Sequence, residues 1–280
     1  MTLLDSMIQA ARVAGEEVLR IRGAGYVVHS KQDASPVTAA DQAAERIILA
    51  HLARAAPGVP VVAEEAAAAG DTPEVGLRFF LVDPLDGTKE FVAGRDEFTV
   101  NIALIEDGVP VLGVVGAPAL GRLFAGDVPR RRAFEIRAGA GAGAGAGASL
   151  GGGSVARVGG LGPQHAPWQH ALCMRAVPAE GPVAVASRSH GSDQTEAWLA
   201  AAGVSGRVSI GSSLKFCLLA AGEADVYPRF SPTMEWDTAA GHAVVVAAGG
   251  VVLQPDGSPL CYGKPGFRNP SFIAGAARPA

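Results

Sequence analysis

The sequence predicts a layered α/β protein, with helices packed on sheets. Two observations carry this. Helical and strand-like segments alternate through the second half, and the first half sets two helical segments ahead of a run of strand candidates. A hairpin signal, Asp107-Gly108, also joins apolar runs in which Val100, Ile102 and Leu104 alternate with other residues. Elements with one apolar face bury it by stacking in layers.

Residues 3–22 read as an amphipathic helix. Leu4, Met7, Ile8, Ala11, Ala14, Val18 and Leu19 lie near one face, Glu16, Glu17, Arg20 and Arg22 mostly off it, and Gly23 and Gly25 stop it. Residues 38–55 read as a second helix, opened by Thr38-x-x-Asp41, a capping box in which Asp replaces the usual Glu. Strands are expected at 60–64 and 78–83, a hairpin over 98–117, and a short strand at 122–125. In the second half strands are expected at 183–187, 208–210, 224–227 and 251–253, and helices at 192–202, 213–221 and 237–248. Between the halves, residues 138–148 alternate Gly and Ala, and Gly151-Gly152-Gly153 follows. This stretch has little to bury and much entropy to lose, so it reads as a flexible surface excursion. It satisfies a degenerate dinucleotide-binding pattern by repetition alone. The expected organisation is residues 1–137, an insert at 138–170, and residues 171–280.

At 280 residues, with 49% hydrophobic and 18% charged residues, the chain has the make-up of an ordinary globular core. A net charge of -4 with no basic stripe gives no footprint for a nucleic-acid polymer. Cys173, Cys217 and Cys261 form no CxxC pair and are expected as free, buried thiols in a reducing compartment. No signal peptide or transmembrane run is evident. The expected setting is cytoplasmic; peripheral membrane contact stays open, as does the oligomeric state.

The chemistry concentrates in Val82-Asp83-Pro84-Leu85-Asp86-Gly87-Thr88-Lys89-Glu90-Phe91. The apolar strand Phe79-Phe80-Leu81-Val82 delivers two acids into a turn stiffened by Pro84 and released by Gly87. Like charges held this close need a cation. Hard divalent ions take carboxylate and carbonyl oxygens, and Mg²⁺ shares them with phosphate. Glu64, which ends a strand-like run, and Asp237, which opens a helix, fit the same centre. Each acid also has a simpler reading: an Asx turn for Asp83 and Asp86, a dipole-placed acid for Asp237, and a helix cap for Asp41.

Together with Ser35-Pro36-Val37-Thr38-Ala39-Ala40-Asp41, Ser187-Arg188-Ser189-His190, Gly211-Ser212-Ser213-Leu214-Lys215, Tyr227-Pro228-Arg229-Phe230 and Trp236-Asp237-Thr238-Ala239-Ala240-Gly241, these acids resemble the lithium-sensitive, magnesium-dependent phosphatases of the inositol monophosphatase superfamily. Within it they are similar to the bacterial 3'(2'),5'-bisphosphate nucleotidases. The resemblance covers almost the whole chain outside residues 138–170. It implies an α/β/α/β/α sandwich and two or three Mg²⁺ ions on Glu64, Asp83, the Leu85 carbonyl, Asp86 and Asp237. It further implies that Asp41 and Thr88 orient the attacking water. Substrate contacts would come from Gly87, Thr88, His190, Ser212, Lys215, Arg229 and Asp237. His242 reads as structural, and Lys31 and Asp33 as loop charges near the metals.

The implied reaction is hydrolysis of the 3'-phosphate of adenosine 3',5'-bisphosphate, or of its 5'-phosphosulfate analogue, in sulfur assimilation. Two alternatives remain: an inositol- or sugar-phosphate phosphatase, which shares the acids, and a non-catalytic metal or nucleotide sensor.

Overall fold

The structure is a computed structural model. It describes residues 1–30, 36–137, 169–186 and 192–276. The expected insert falls largely outside these residues, as do Lys31, Asp33 and His190.

Helix α1 (Leu3–Ala24) begins at Thr2, whose hydroxyl accepts from the Asp5 amide while the Asp5 carboxylate accepts from the Thr2 amide. Its buried stripe contains Leu4, Met7, Ala11, Ala14 and Val18 as expected, with Ile8 and Leu19 half-buried at its rim. A small hairpin, β1 (Val28–Ser30) and β2 (Pro36–Thr38), leads into α2 (Ala39–Ala55).

Next come β3 (Val61–Ala63), the short helix α3 (Glu64–Ala68) and β4 (Arg78–Asp86). Side chains on β4 alternate between two cores: Phe79 and Leu81 face one, Phe80 and Val82 the other. A strand buried on both faces shows a continuous apolar run, as this one does. The expected turn at Pro84–Gly87 is corrected: β4 continues through both acids. Its pairing instead slips by one residue, with Asp83 opposite Asn101 and Asp86 opposite Thr99. Pro84 has no N–H for the ladder, so an irregularity belongs there. Gly87 (φ 89°) then turns the chain into α4 (Thr88–Val92).

Strands β5 (Thr99–Glu106) and β6 (Val109–Ala117) form the expected hairpin, with Asp107 and Gly108 both at positive φ. β7 (Arg122–Asp127), β8 (Arg132–Arg137) and β9 (Gln169–Ala171) complete a seven-stranded sheet, β3-β4-β5-β6-β7-β8-β9, parallel only between β3 and β4. Gln169 and His170, inside the expected insert, therefore belong to this sheet.

The second half supplies β10 (Val183–Ala186), α5 (Asp193–Ala201), β11 (Gly206–Ser209), α6 (Leu214–Ala220), β12 (Val226–Arg229) and β13 (Thr233–Met234). It continues with α7 (Glu235–Ala247), β14 (Gly250–Leu253), β15 (Arg268–Asn269) and β16 (Phe272–Ala276). A five-stranded sheet runs β11-β10-β12-β16-β14, and β13 pairs with β15.

The layers follow. α1 and α2 cover one face of the large sheet, α6 and α7 lie between the two sheets, and α5 packs against β12. This is the expected α/β/α/β/α order. The central contact is tight because Gly113 on β6 and Gly126 on β7 stand opposite each other under α7. A Cβ at Gly126 would lie 2.7 Å from the Ala243 carbonyl oxygen, and at Gly113 it would overlap Ala240. No side chain fits there, so the helix can rest directly on the sheet.

Candidate active site

A cavity of about 820 Å³ opens where the C-terminal end of β4 meets the starts of α6 and α7. Glu64, Asp83, Leu85, Asp86, Gly87, Thr88, Ser212, Lys215, Arg229 and Asp237 all line it. These residues span more than half the sequence and come from six elements and two connecting loops, so the sandwich itself assembles the site.

The four acids repel one another. Asp83 is almost fully buried, and burial, the charges of Glu64, Asp86 and Asp237 and a side-chain contact with Glu64 hold its carboxyl well above the usual range. Asp237 is raised for the same reasons, by burial, then Asp86 and Glu64. Burial pushes Asp86 up to about 6, against the pull of Lys215 and the Ser213 amide. Such groups are costly to ionise together and are relieved by a cation. Four carboxylates and one strand carbonyl are a hard-oxygen donor set, which fits Mg²⁺ with substrate phosphate and water completing its shell. Among the described residues, no three His, Cys, Asp or Glu side chains form a finished ion cage.

Local structure explains how each acid is presented. Asp83 accepts from the Leu85 amide at 3.0 Å, an Asx bond across the slip in β4. Asp237 sits in the first turn of α7 and accepts from the Met234 amide at 2.8 Å, so its capping role and its place in the cavity coincide. Glu64 starts α3. That helix is held by Glu45, whose two oxygens accept from the Glu65 and Ala66 amides at 2.8 and 3.1 Å. Glu65 is not among the cavity-lining residues.

Asp41 lies behind the cavity, 1% exposed. One oxygen accepts from the Thr38 amide and hydroxyl, the other from the Thr88 hydroxyl at 3.1 Å. Burial raises its carboxyl, and these hydrogen bonds oppose the rise. The Thr88 hydroxyl also lies 3.0 Å from the Leu85 carbonyl.

The cationic side differs from a simple pair of free anchors. The Lys215 ammonium is buried and donates to the Ser212 carbonyl at 2.5 Å, with Ile210 at 3.4 Å; burial brings it down to about 8. It thereby holds Ser212, a non-glycine at positive φ (52°). Arg229 donates to the Ser231 and Pro232 carbonyls, both at 3.2 Å.

Sequence reasoning missed Glu45 and a buried polar cluster around Asp86. The Ser213 amide donates to Asp86 at 2.5 Å, and the Ser213 hydroxyl joins Thr99 at 2.8 Å and Asn101 at 2.7 Å. Polar residues within the apolar β5 run, Thr99 and Asn101, were the available signal. His242 is structural as expected: it is bonded to the Tyr262 hydroxyl at 2.9 Å and brought down to about 3 by burial. Of the cysteines, Cys217 is buried as expected, while Cys173 and Cys261 are exposed.

The chain belongs to the inositol monophosphatase family, whose model matches residues 2–278. Among its relatives is the 3'(2'),5'-bisphosphate nucleotidase CysQ of Salmonella typhimurium, 42% identical over 281 residues, covering 96% of this chain and 98% of that one. The protein of the same name from Escherichia coli strain K12 is 40% identical over 273 residues, at 96% and 98% coverage. Among solved structures, CysQ from Bacteroides thetaiotaomicron is 36% identical, covers 99% of this chain and 97% of its own, and superposes with a TM-score of 0.75. An inositol monophosphatase of Thermotoga maritima, at 24% identity and a TM-score of 0.71, shares the fold.

Proposed function

We propose that this chain is a magnesium-dependent 3'(2'),5'-bisphosphate nucleotidase. It hydrolyses adenosine 3',5'-bisphosphate to AMP and phosphate, and the 5'-phosphosulfate analogue likewise, serving sulfur assimilation. The observation that carries the reading is one cavity lined by four acids together with Lys215 and Arg229. The relatives' names agree with it.

Glu64, Asp83, the Leu85 carbonyl, Asp86 and Asp237 would hold two or three Mg²⁺. When bound, such ions acidify the attacking water and offset charge on the leaving oxygen. The chain's own residues set direction. A threonine hydroxyl can donate one proton and accept on its lone pairs. With its proton on Asp41, Thr88 can accept from the water and aim its oxygen at phosphorus. The P–O3' bond breaks as the new P–O bond forms; the attacking water gives up one proton to solvent and the departing 3'-oxygen takes one up from solvent. Gly87, Thr88 and Asp237, which line the cavity, are assigned to the reacting phosphate. Ser212, Lys215, Arg229 and His190 are assigned to the 5'-phosphate and nucleoside; His190 lies outside the described residues. Unpaired thiols at Cys173, Cys217 and Cys261 suit a reducing, cytoplasmic setting, and among the described residues no helix is long and apolar enough to cross a membrane.

Phosphate release should require Mg²⁺ and stop with chelator, with Ca²⁺ a poor substitute because its looser shell misplaces the water. Undiminished turnover by protein shown to be metal-free would overturn the reading.

A further inference from the structure

The cavity has a wall that the phosphate chemistry does not use. Trp236 and Phe267 both line it, with ring centroids 6.4 Å apart and planes tilted by 35°. Trp236 is 8% exposed, a buried backing; Phe267 is half-buried in front of it, and Arg268 beside it is exposed. Trp236 directly precedes Asp237, so the aromatic wall and the acidic centre share the first turn of α7.

The loop carrying Phe267 is held in an unfavourable backbone shape. Phe267 has φ of 52°, a region that a bulky side chain rarely enters. Several bonds fix it there. The fully buried Glu235 accepts from the Gly263 and Lys264 amides at 2.7 and 3.0 Å. The Phe267 amide donates to the Lys264 carbonyl at 3.0 Å. Just beyond, Asn269 donates to the Met234 carbonyl at 2.8 Å and the Thr238 hydroxyl at 2.9 Å. A strained aromatic over-determined by its surroundings and facing a ligand cavity is the arrangement of a clamp.

We propose that Phe267, backed by Trp236, is the stacking wall for the purine base of the substrate. This deepens the nucleotidase reading and rests on it. A flat, rigid ring offers a π-face to a base, whereas an inositol or a simple sugar phosphate has none. The wall would therefore separate nucleotide from cyclitol substrates that present the same phosphate to the same acids.

The test compares adenosine 3',5'-bisphosphate with the base-free methyl ribofuranoside 3,5-bisphosphate, in wild type, Phe267→Ala and Phe267→Tyr. Loss of one stacked base typically costs roughly 5- to 150-fold in affinity. Phe267→Ala should narrow the wild-type preference for the nucleotide by that factor, mainly through KM. Phe267→Tyr should restore it, and melting temperatures will show that both variants are folded. Equal losses on the two substrates, or a tyrosine variant as poor as alanine, overturn the wall. A folded wild type that hydrolyses the two alike overturns it too, while leaving a bisphosphatase standing. A wild type that hydrolyses neither, but does hydrolyse inositol monophosphate, overturns the nucleotidase reading itself.

Discussion

Asp41 divides its carboxylate between two jobs. One oxygen closes the cap of α2 on Thr38, and the other, 3.1 Å from the Thr88 hydroxyl, faces the cavity side. Capping and catalysis therefore make separable predictions at one residue. Thr88→Val keeps the shape and deletes the hydroxyl, so kcat should fall about 100-fold or more with KM changed less. Asp41→Asn can keep an oxygen on Thr38 while turning its amide toward Thr88, which reverses that hydrogen bond. Its kcat should fall comparably while its melting temperature holds. A lower melting temperature with kcat spared would reduce Asp41 to a cap.

The repulsion among the acids predicts an unusual pH profile for metal-free protein. In the unfolded chain these aspartates titrate near 3.9; folded, Asp86 titrates near 6 and Asp83 and Asp237 are also raised. Between those limits the native state binds more protons than the unfolded one, so their contribution to stability falls as pH rises. Metal-free protein should thus lose melting temperature from pH 4 to beyond pH 6 through these groups, and Mg²⁺ should raise it more at pH 7.5 than at pH 5. Asp83→Asn keeps an oxygen for the Leu85 amide and removes one charge. It should raise the metal-free melting temperature at pH 7.5, by about 2–4 °C per kcal/mol of repulsion relieved, while abolishing activity. A drop in melting temperature would contradict the electrostatic account.

Glu45 should act on metal affinity without touching metal. Glu45→Ala leaves the Glu65 and Ala66 amides without their carboxylate, and Glu64 loses its rigid presentation. Partners of this outer kind typically change metal affinity about 10- to 100-fold. Calorimetric titration with Mg²⁺ should show a loss in that range, partly restored in Glu45→Gln. Unchanged affinity in a folded alanine variant would make Glu45 a structural cap only.

These cases show what was legible. The acids of β4 were readable because Asp83, Asp86 and Gly87 combine in one short run, and α1 and α2 because their apolar periods are long. Glu45 was not, since its partner amides lie twenty residues away and a mid-helix glutamate resembles a solvated one. The slip in β4 looked like a turn because Pro84 and Gly87 mark both. β16 was missed: its Ala and Gly residues become a strand only by pairing with β12 and β14. The Gly113–Gly126 seat under α7 depends on cross-strand register, which no local pattern reports.

Lys215 tests specificity. A buried ammonium already bonded to Ser212 is well placed to serve an anion through the same turn. Losing one charge-assisted contact costs ~1.5–3 kcal/mol, or roughly 10- to 150-fold in kcat/KM. Lys215→Met should lose that much on adenosine 3',5'-bisphosphate and distinctly less on a simple monophosphate. Equal losses would mean that it only holds the Ser212 turn.

The most direct measurement is kcat/KM for adenosine 3',5'-bisphosphate against inositol monophosphate, with saturating Mg²⁺ and one preparation of wild-type protein. A second anchored phosphate and a stacked base should each contribute about tenfold or more, so the nucleotide is expected to win by about 100-fold at least, with 5'-AMP as product. Equal efficiency, or a preference for inositol monophosphate, would contradict the account and leave the acids serving a different substrate.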